Sequence, residues 1–196
     1  MKALGKGSVA SLVQTGLAVA WWFLWVCAVA LVLIAIAYGG VMIFNPGWLE
    51  GQHGHLTFGG HGGASLSVNF DDAGSWMWPV FVPALMIGGV AIAGALMIVW
   101  RLRKLFDSFS SGEPFRRENA DHLRAIWIIM LVIEISRYVL LGVTGTLITM
   151  YGGSNIDADY TFHIDLSTWG SILILIVLAE VFREGARMKE EQELTI

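Results

Sequence analysis

Two charged side chains lie inside an apolar stretch of the sequence, where an ion is energetically costly. Glu134 and Arg137 are three residues apart, a spacing that places both on one face of a helix. Counted from Ala125 at 1.5 Å per residue, Arg137 lies about 18 Å along a helix axis, close to the middle of a membrane. A charge at that depth costs about 2.5–3.5 kcal/mol and needs a partner. Glu134 is the local candidate, and Glu180, in a later apolar segment, is the alternative.

This charge cluster has two interpretations. An ion or proton relay, or the hinge of a signalling switch, would use the charges functionally, whereas a structural ion pair would only fix how helices pack. Transporters usually carry more intramembrane polar groups and interrupted helices than this sequence contains. The structural role of Glu134, Arg137 and Glu180 is therefore favoured.

Four of the five histidines lie in two connecting segments that also contain aspartates. His53, His55 and His61 belong to a long glycine-rich connection, and His163 belongs to a later, shorter one. Imidazole and carboxylate groups are metal ligands, and a His-x-His pair on a strand places both rings on one face. The spacing matches no established metal motif and no cysteine accompanies it. Ordinary loop residues are favoured, with a metal site as the alternative.

The composition identifies the elements that must position these residues. The chain is 56% hydrophobic and only 14% charged, whereas soluble domains carry about 25% charged residues. A hydrocarbon core about 30 Å thick needs about 20 helical residues. We predict an all-α membrane protein, one domain over residues 1–196, with aromatic residues near the ends of its apolar segments. The four predicted transmembrane helices are residues 17–43, 78–100, 125–150 and 166–183.

The first apolar segment resembles a signal peptide because Lys2 and Lys6 precede it. Its apolar run continues to Phe44 and is longer than a signal-peptide core. We therefore expect a retained membrane anchor. Cys27 is the single cysteine of the chain, so no intramolecular disulfide can form.

The distribution of basic residues predicts the orientation. Eleven of the twelve Lys and Arg residues precede the first helix, lie in the connection 101–124, or lie from the end of the fourth helix through the tail 184–196. The connections 45–77 and 152–165 contain none. The positive-inside rule assigns the basic side to the cytoplasm. We predict a multi-pass protein of the inner membrane with both termini in the cytoplasm.

The external connection 45–77 contains two short alternating patterns, His55–Phe58 and Ser65–Phe70, separated by Gly-Gly pairs. Alternation around such turns is typical of a β-hairpin. We therefore predict a short hairpin in this glycine-rich loop.

The two cytoplasmic segments carry patterns of their own. An apolar stripe at the spacing i, i+3, i+4 and i+7 consists of Leu102, Leu105, Phe106 and Phe109. With Arg101 and Lys104 beside it, this stripe predicts a basic amphipathic continuation of the second helix that lies against anionic lipid. The charged tail pairs Arg187 with Glu191 at i, i+4. It is either a solvated helix or a docking strip for a cytoplasmic partner.

Short motifs in these segments resemble those of a bacterial family. They are Gly112-x-Pro114-Phe115 with Asn119, the stretch 179–185 around Phe182, Arg183 and Gly185, and the closing residues 193–196. The family is that of the YoaS-like membrane proteins, domain of unknown function 2975 (DUF2975), which the four-helix layout also resembles. The resemblance implies no catalytic residues. It implies that the gene lies beside that of a small helix-turn-helix regulator of the Cro type.

We therefore predict a regulatory membrane protein that binds or controls such a regulator and does not itself bind nucleic acid. The predicted docking residues are Gly112, Pro114, Phe115, Asn119, Phe182, Arg183, Gly185, Leu194 and Ile196. The alternative is a transport, ion-handling or metal-sensing protein that uses the Glu134–Arg137 pair and the external histidines. No nucleophile–base pair or phosphate loop is present, so neither an enzyme nor a cofactor is expected. A homo-oligomer is an open alternative.

Overall fold

The computed structural model describes residues 9–45, 54–59, 65–70, 78–110, 116–151, 156–161 and 163–193. Within these residues it contains four helices and three strands. In chain order they are α1 (Val9–Phe44), β1 (Gly54–Gly59), β2 (Ser65–Phe70), α2 (Trp78–Ser110), α3 (Arg117–Tyr151), β3 (Ile156–Thr161) and α4 (Leu166–Glu193).

All four helices are long and apolar enough to cross a membrane. Large apolar side chains of these helices, such as Trp22 and Leu173, are exposed on the protein surface. This arrangement is expected where lipid is the solvent. The prediction of four helices that are long and apolar enough to cross a membrane is confirmed. The helices contain 36, 33, 35 and 28 residues, more than the roughly 20 that a hydrocarbon core requires. The charged ends of α2, α3 and α4 continue these helices beyond their apolar spans, whereas α1 contains no charged residue.

The chain divides into two compact units. The basic unit consists of Met1–Val26, Ala93–Val132 and Ser167–Ile196, and the sheet unit consists of Cys27–Ile92 and Ile133–Leu166. Eleven of the twelve Lys and Arg residues belong to the basic unit. The sheet unit contains Arg137 and all three described strands.

The strands of the sheet unit form one antiparallel sheet in the order β1-β2-β3. Leu66 and Val68 of β2 are 1% and 0% exposed, because alternate residues of a strand share a face. They pack against a cluster that comprises Val80, Leu141 and Ile148, with Leu56, Ile87 and Tyr138 at its edge. The sequence did not predict β3, since its two aspartates are residues that strands disfavour.

The core of the basic unit lies between the end of α2 and the helices α3 and α4. Leu105, Leu123 and Ala179 are buried there. Leu102 and Phe109 pack against the same cluster. The expectation that this apolar stripe lies against lipid was therefore wrong in that Leu102, Leu105 and Phe109 pack within the protein. Apolar side chains of α3 and α4 cover them, and the helix carries its exposed cations elsewhere.

Candidate functional site

The predicted docking residues divide into two groups. Five of them lie outside the described residues, namely Gly112, Pro114, Phe115, Leu194 and Ile196. The other four belong to the basic unit, with Asn119 on α3 and Phe182, Arg183 and Gly185 on α4.

Asn119 is the most buried of the four, with 1% of its surface exposed. Its Nδ2 donates to Ser108 Oγ at 2.9 Å, and its backbone N–H donates to the carbonyl oxygen of Arg116 at 3.0 Å. The side-chain bond connects the end of α2 to the start of α3, and the backbone bond closes the first turn of α3. A side chain so covered cannot contact a partner directly, so Asn119 positions the surface around it.

Phe182 and Gly185 are half-buried and contribute little exposed area to this surface. Phe182 is half-buried and its ring stacks on Phe109 with the centroids 5.9 Å apart. Gly185 is half-buried beside the buried Ala186. Of the four predicted docking residues that the structure describes, Arg183 alone presents an exposed side chain.

A charged cleft of about 390 Å³ lies beside Arg183. Its lining residues are Arg117, Arg183, Glu184, Ala186, Arg187 and Glu190. Arg183 pairs with Glu180 at 2.6 Å, and Arg187 pairs with Glu184 at 2.6 Å and with Glu191 at 3.5 Å. Exposed helical pairs of this kind contribute only about 0.3–0.5 kcal/mol each. Replacing these pairs by ion pairs with a partner protein would therefore cost little in stability.

The intramembrane pair lies in the sheet unit. Arg137 Nη2 donates to Glu134 Oε1 at 2.6 Å, with 19% and 6% of the two side chains exposed. Within the described part of the chain, Arg137 Nε is buried and has no hydrogen-bond acceptor. Glu180, the alternative partner from the sequence, is exposed in the basic unit and pairs with Arg183.

Two of the four predicted metal ligands lie among the described residues. His55 is exposed on β1 with its Nε2 3.5 Å from Thr57 Oγ1, and His163 is exposed before α4. His53 and His61 lie outside the described residues. No group of three His, Cys, Asp or Glu side chains suited to a metal ion occurs among the residues the structure describes.

The sequence did not predict one polar contact of the basic unit. Arg101 Nη1 donates to His122 Nδ1 at 3.1 Å. Because arginine has no acceptor, this bond requires that Nδ1 carry no proton and that the neutral ring be protonated at Nε2. The positions are 21 residues apart, so no local spacing indicates their contact.

Comparison with known proteins identifies a family. A family model described as a protein of unknown function (DUF2975) matches residues 71–196, which is more than half of the chain and contains α2, α3, β3 and α4. The family resemblance that the short motifs predicted is confirmed. No curated protein and no solved structure matches the chain.

Proposed function

The chain belongs to the DUF2975 family, and from this premise we propose that it is a regulatory protein that binds a small helix-turn-helix transcription regulator of the Cro type at the inner membrane. The observation that carries the proposal is the extension of α4 to Glu193, which presents exposed charged side chains beside the cleft at Arg183. Such a surface suits docking of a protein.

The charge of this surface supports a basic partner. From Glu180 to Glu193, α4 contains five glutamates and three basic residues. A helix-turn-helix protein carries Lys and Arg on the face that contacts DNA phosphates. Complementary charge steers association and fixes orientation. Binding to the acidic end of α4 would therefore withdraw the regulator from DNA.

The proposal requires that the basic unit face the cytoplasm, with both termini inside and the β1–β2 hairpin outside. Its eleven basic residues support this orientation through the positive-inside rule. We expect a reporter that is active only in the periplasm to work when fused after Gly63 or Asn155 and to fail after Gly112 or Ile196. Periplasmic activity from the Gly112 fusion would reverse the assignment.

Removal of residues 193–196 should weaken capture of the regulator while leaving membrane insertion intact. Full burial of Leu194 and of Ile196 against a partner would each stabilise the complex by about 1.5–3 kcal/mol. The measurement is co-purification from membranes of the regulator encoded by the neighbouring gene, with full-length and truncated protein.

Glu190→Gln in the cleft should also reduce capture, more strongly at low salt because screening weakens such contacts. Asp159→Asn, which removes one exposed carboxylate from the sheet unit, is the matched control and should leave capture unchanged. Equal recovery with every form would exclude this part of α4 and leave the connection around Pro114 and Phe115 as the docking candidate.

A second function in transport, ion handling or metal sensing is favoured by one observation, the pairing of a buried Glu134 with a half-buried Arg137 inside an apolar helix, where charge is costly. The neighbouring genes distinguish the two functions. A short helix-turn-helix gene supports the regulatory function, and a permease operon supports the transport function.

A further inference from the structure

One exposed face of α2 carries cations next to an indole ring. Trp100, Arg103 and Lys104 have the spacing i, i+3 and i+4, which places them on the same side of a helix. Lys104 Nζ lies 4.0 Å from the centre of the Trp100 ring. Arg103 Cζ lies 5.8 Å from the centre of the Trp21 ring on α1. We call these four residues the cationic face.

The two cations of this face have no carboxylate partner among the described residues. Both are exposed, and neither forms an ion pair there. Arg183 and Arg187 of α4, by contrast, are both paired with glutamates. The nearest acid along this side of α2 is Asp107, one turn further, which accepts a hydrogen bond from Gln14 Nε2 at 3.1 Å.

Along the helix axis, the side of α2 that carries the cationic face changes from apolar to aromatic to cationic residues, which matches the order of chemical groups in a phospholipid. Met97, one turn before Trp100, is 55% exposed, and Trp100 itself is 42% exposed. Met97 would lie at the level of the acyl chains, Trp100 at the membrane interface, and Arg103 and Lys104 at the level of the headgroups. Leu105 is buried in the protein core and Leu102 packs against it, whereas Trp100, Arg103 and Lys104 are exposed, so this side of α2 is open to a lipid.

We propose that the cationic face binds the headgroup of an anionic phospholipid. The phosphodiester accepts hydrogen bonds from the Arg103 guanidinium and the Lys104 ammonium, and the acyl chains lie along Met97. Arginine suits this ligand because its planar N–H groups match phosphate oxygens. The rings of Trp100 and Trp21 hold the two cations at the level of the headgroups through cation–π contacts. The site is independent of whether a regulator binds to α4.

The test measures thermal unfolding of the full-length protein in a non-ionic detergent with added lipid. Phosphatidylglycerol should raise the melting temperature by about 2–4 °C through preferential binding to the folded state, while phosphatidylcholine should not. The double variant R103Q/K104Q should lose most of this rise. The matched double variant R117Q/R124Q, which removes two exposed cations from α3 of the same unit, should keep it.

Three results would overturn the proposal. An equal rise with phosphatidylcholine would show that the charge of the headgroup is irrelevant. An equal rise with soluble glycerol phosphate would identify an ion site rather than a lipid site. Retention of the full rise by R103Q/K104Q would place the lipid elsewhere. Because both side chains are exposed, the single variant Lys104→Gln should fold normally and lose an intermediate part of the effect.

Discussion

Replacement of Arg137 by alanine is expected to destabilise the detergent-solubilised protein by about 3–5 kcal/mol, the cost of leaving a buried charge without its partner. Glu134, whose side chain is 6% exposed, would keep a carboxylate that no longer receives the 2.6 Å bond from Arg137. The melting temperature should fall by roughly 10 °C for a chain of this size.

Two comparisons make this prediction specific. The double variant R137A/E134A should regain part of the lost stability, since it removes both charges, and a fully additive double variant would contradict the pairing. Arg183→Ala is the matched control. That arginine also donates to a glutamate three residues earlier at 2.6 Å, but the two side chains are 68% and 61% exposed. Exposed pairs contribute at most about 1 kcal/mol, so this variant should unfold almost like the wild type.

Helix number and type could be predicted from the sequence because the bilayer sets a single length requirement for apolar helices. The spacing of Glu134 and Arg137 likewise indicated a shared face before the structure placed them 2.6 Å apart. Helix ends were less predictable. The fourth span was predicted to end at Arg183, with the tail either a solvated helix or a docking strip. The structure continues α4 to Glu193, an end that hydropathy alone does not indicate because polar residues can extend a helix into water.

Contacts between distant segments could not be predicted. The apolar stripe of α2 has the same period whether lipid or protein covers it, and Leu105 is buried because Leu123 and Ala179 lie against it. Asn119 was selected from a short motif as a contact residue, but its side chain is buried against Ser108. A motif identifies residues that a family shares, and burial decides which of them touch a partner and which position the others.

Val68→Asn is expected to destabilise the sheet unit by about 3–5 kcal/mol. Val68 is 0% exposed in the centre of the three-stranded sheet, in the cluster that contains Val80 and Leu141. The substitution loses about 1.5–3 kcal/mol of apolar burial. It also places an amide among apolar side chains, and leaving the hydrogen-bonding groups of that amide unsatisfied costs about 1–3 kcal/mol. Thermal unfolding in detergent measures the loss.

Ser67→Asn is the control, since it introduces the same amide one residue away on the same strand. Ser67 is half-buried and its hydroxyl lies 3.5 Å from that of Thr57, so the amide would join polar neighbours and the stability should change by less than about 1 kcal/mol. A shift of the strand register by one residue would exchange the two faces of β2. Equal stability of the two variants, or a greater loss with Ser67→Asn, would therefore show that Val68 does not face the core and would reject the register in which Val68 pairs with Leu56 and Ala158.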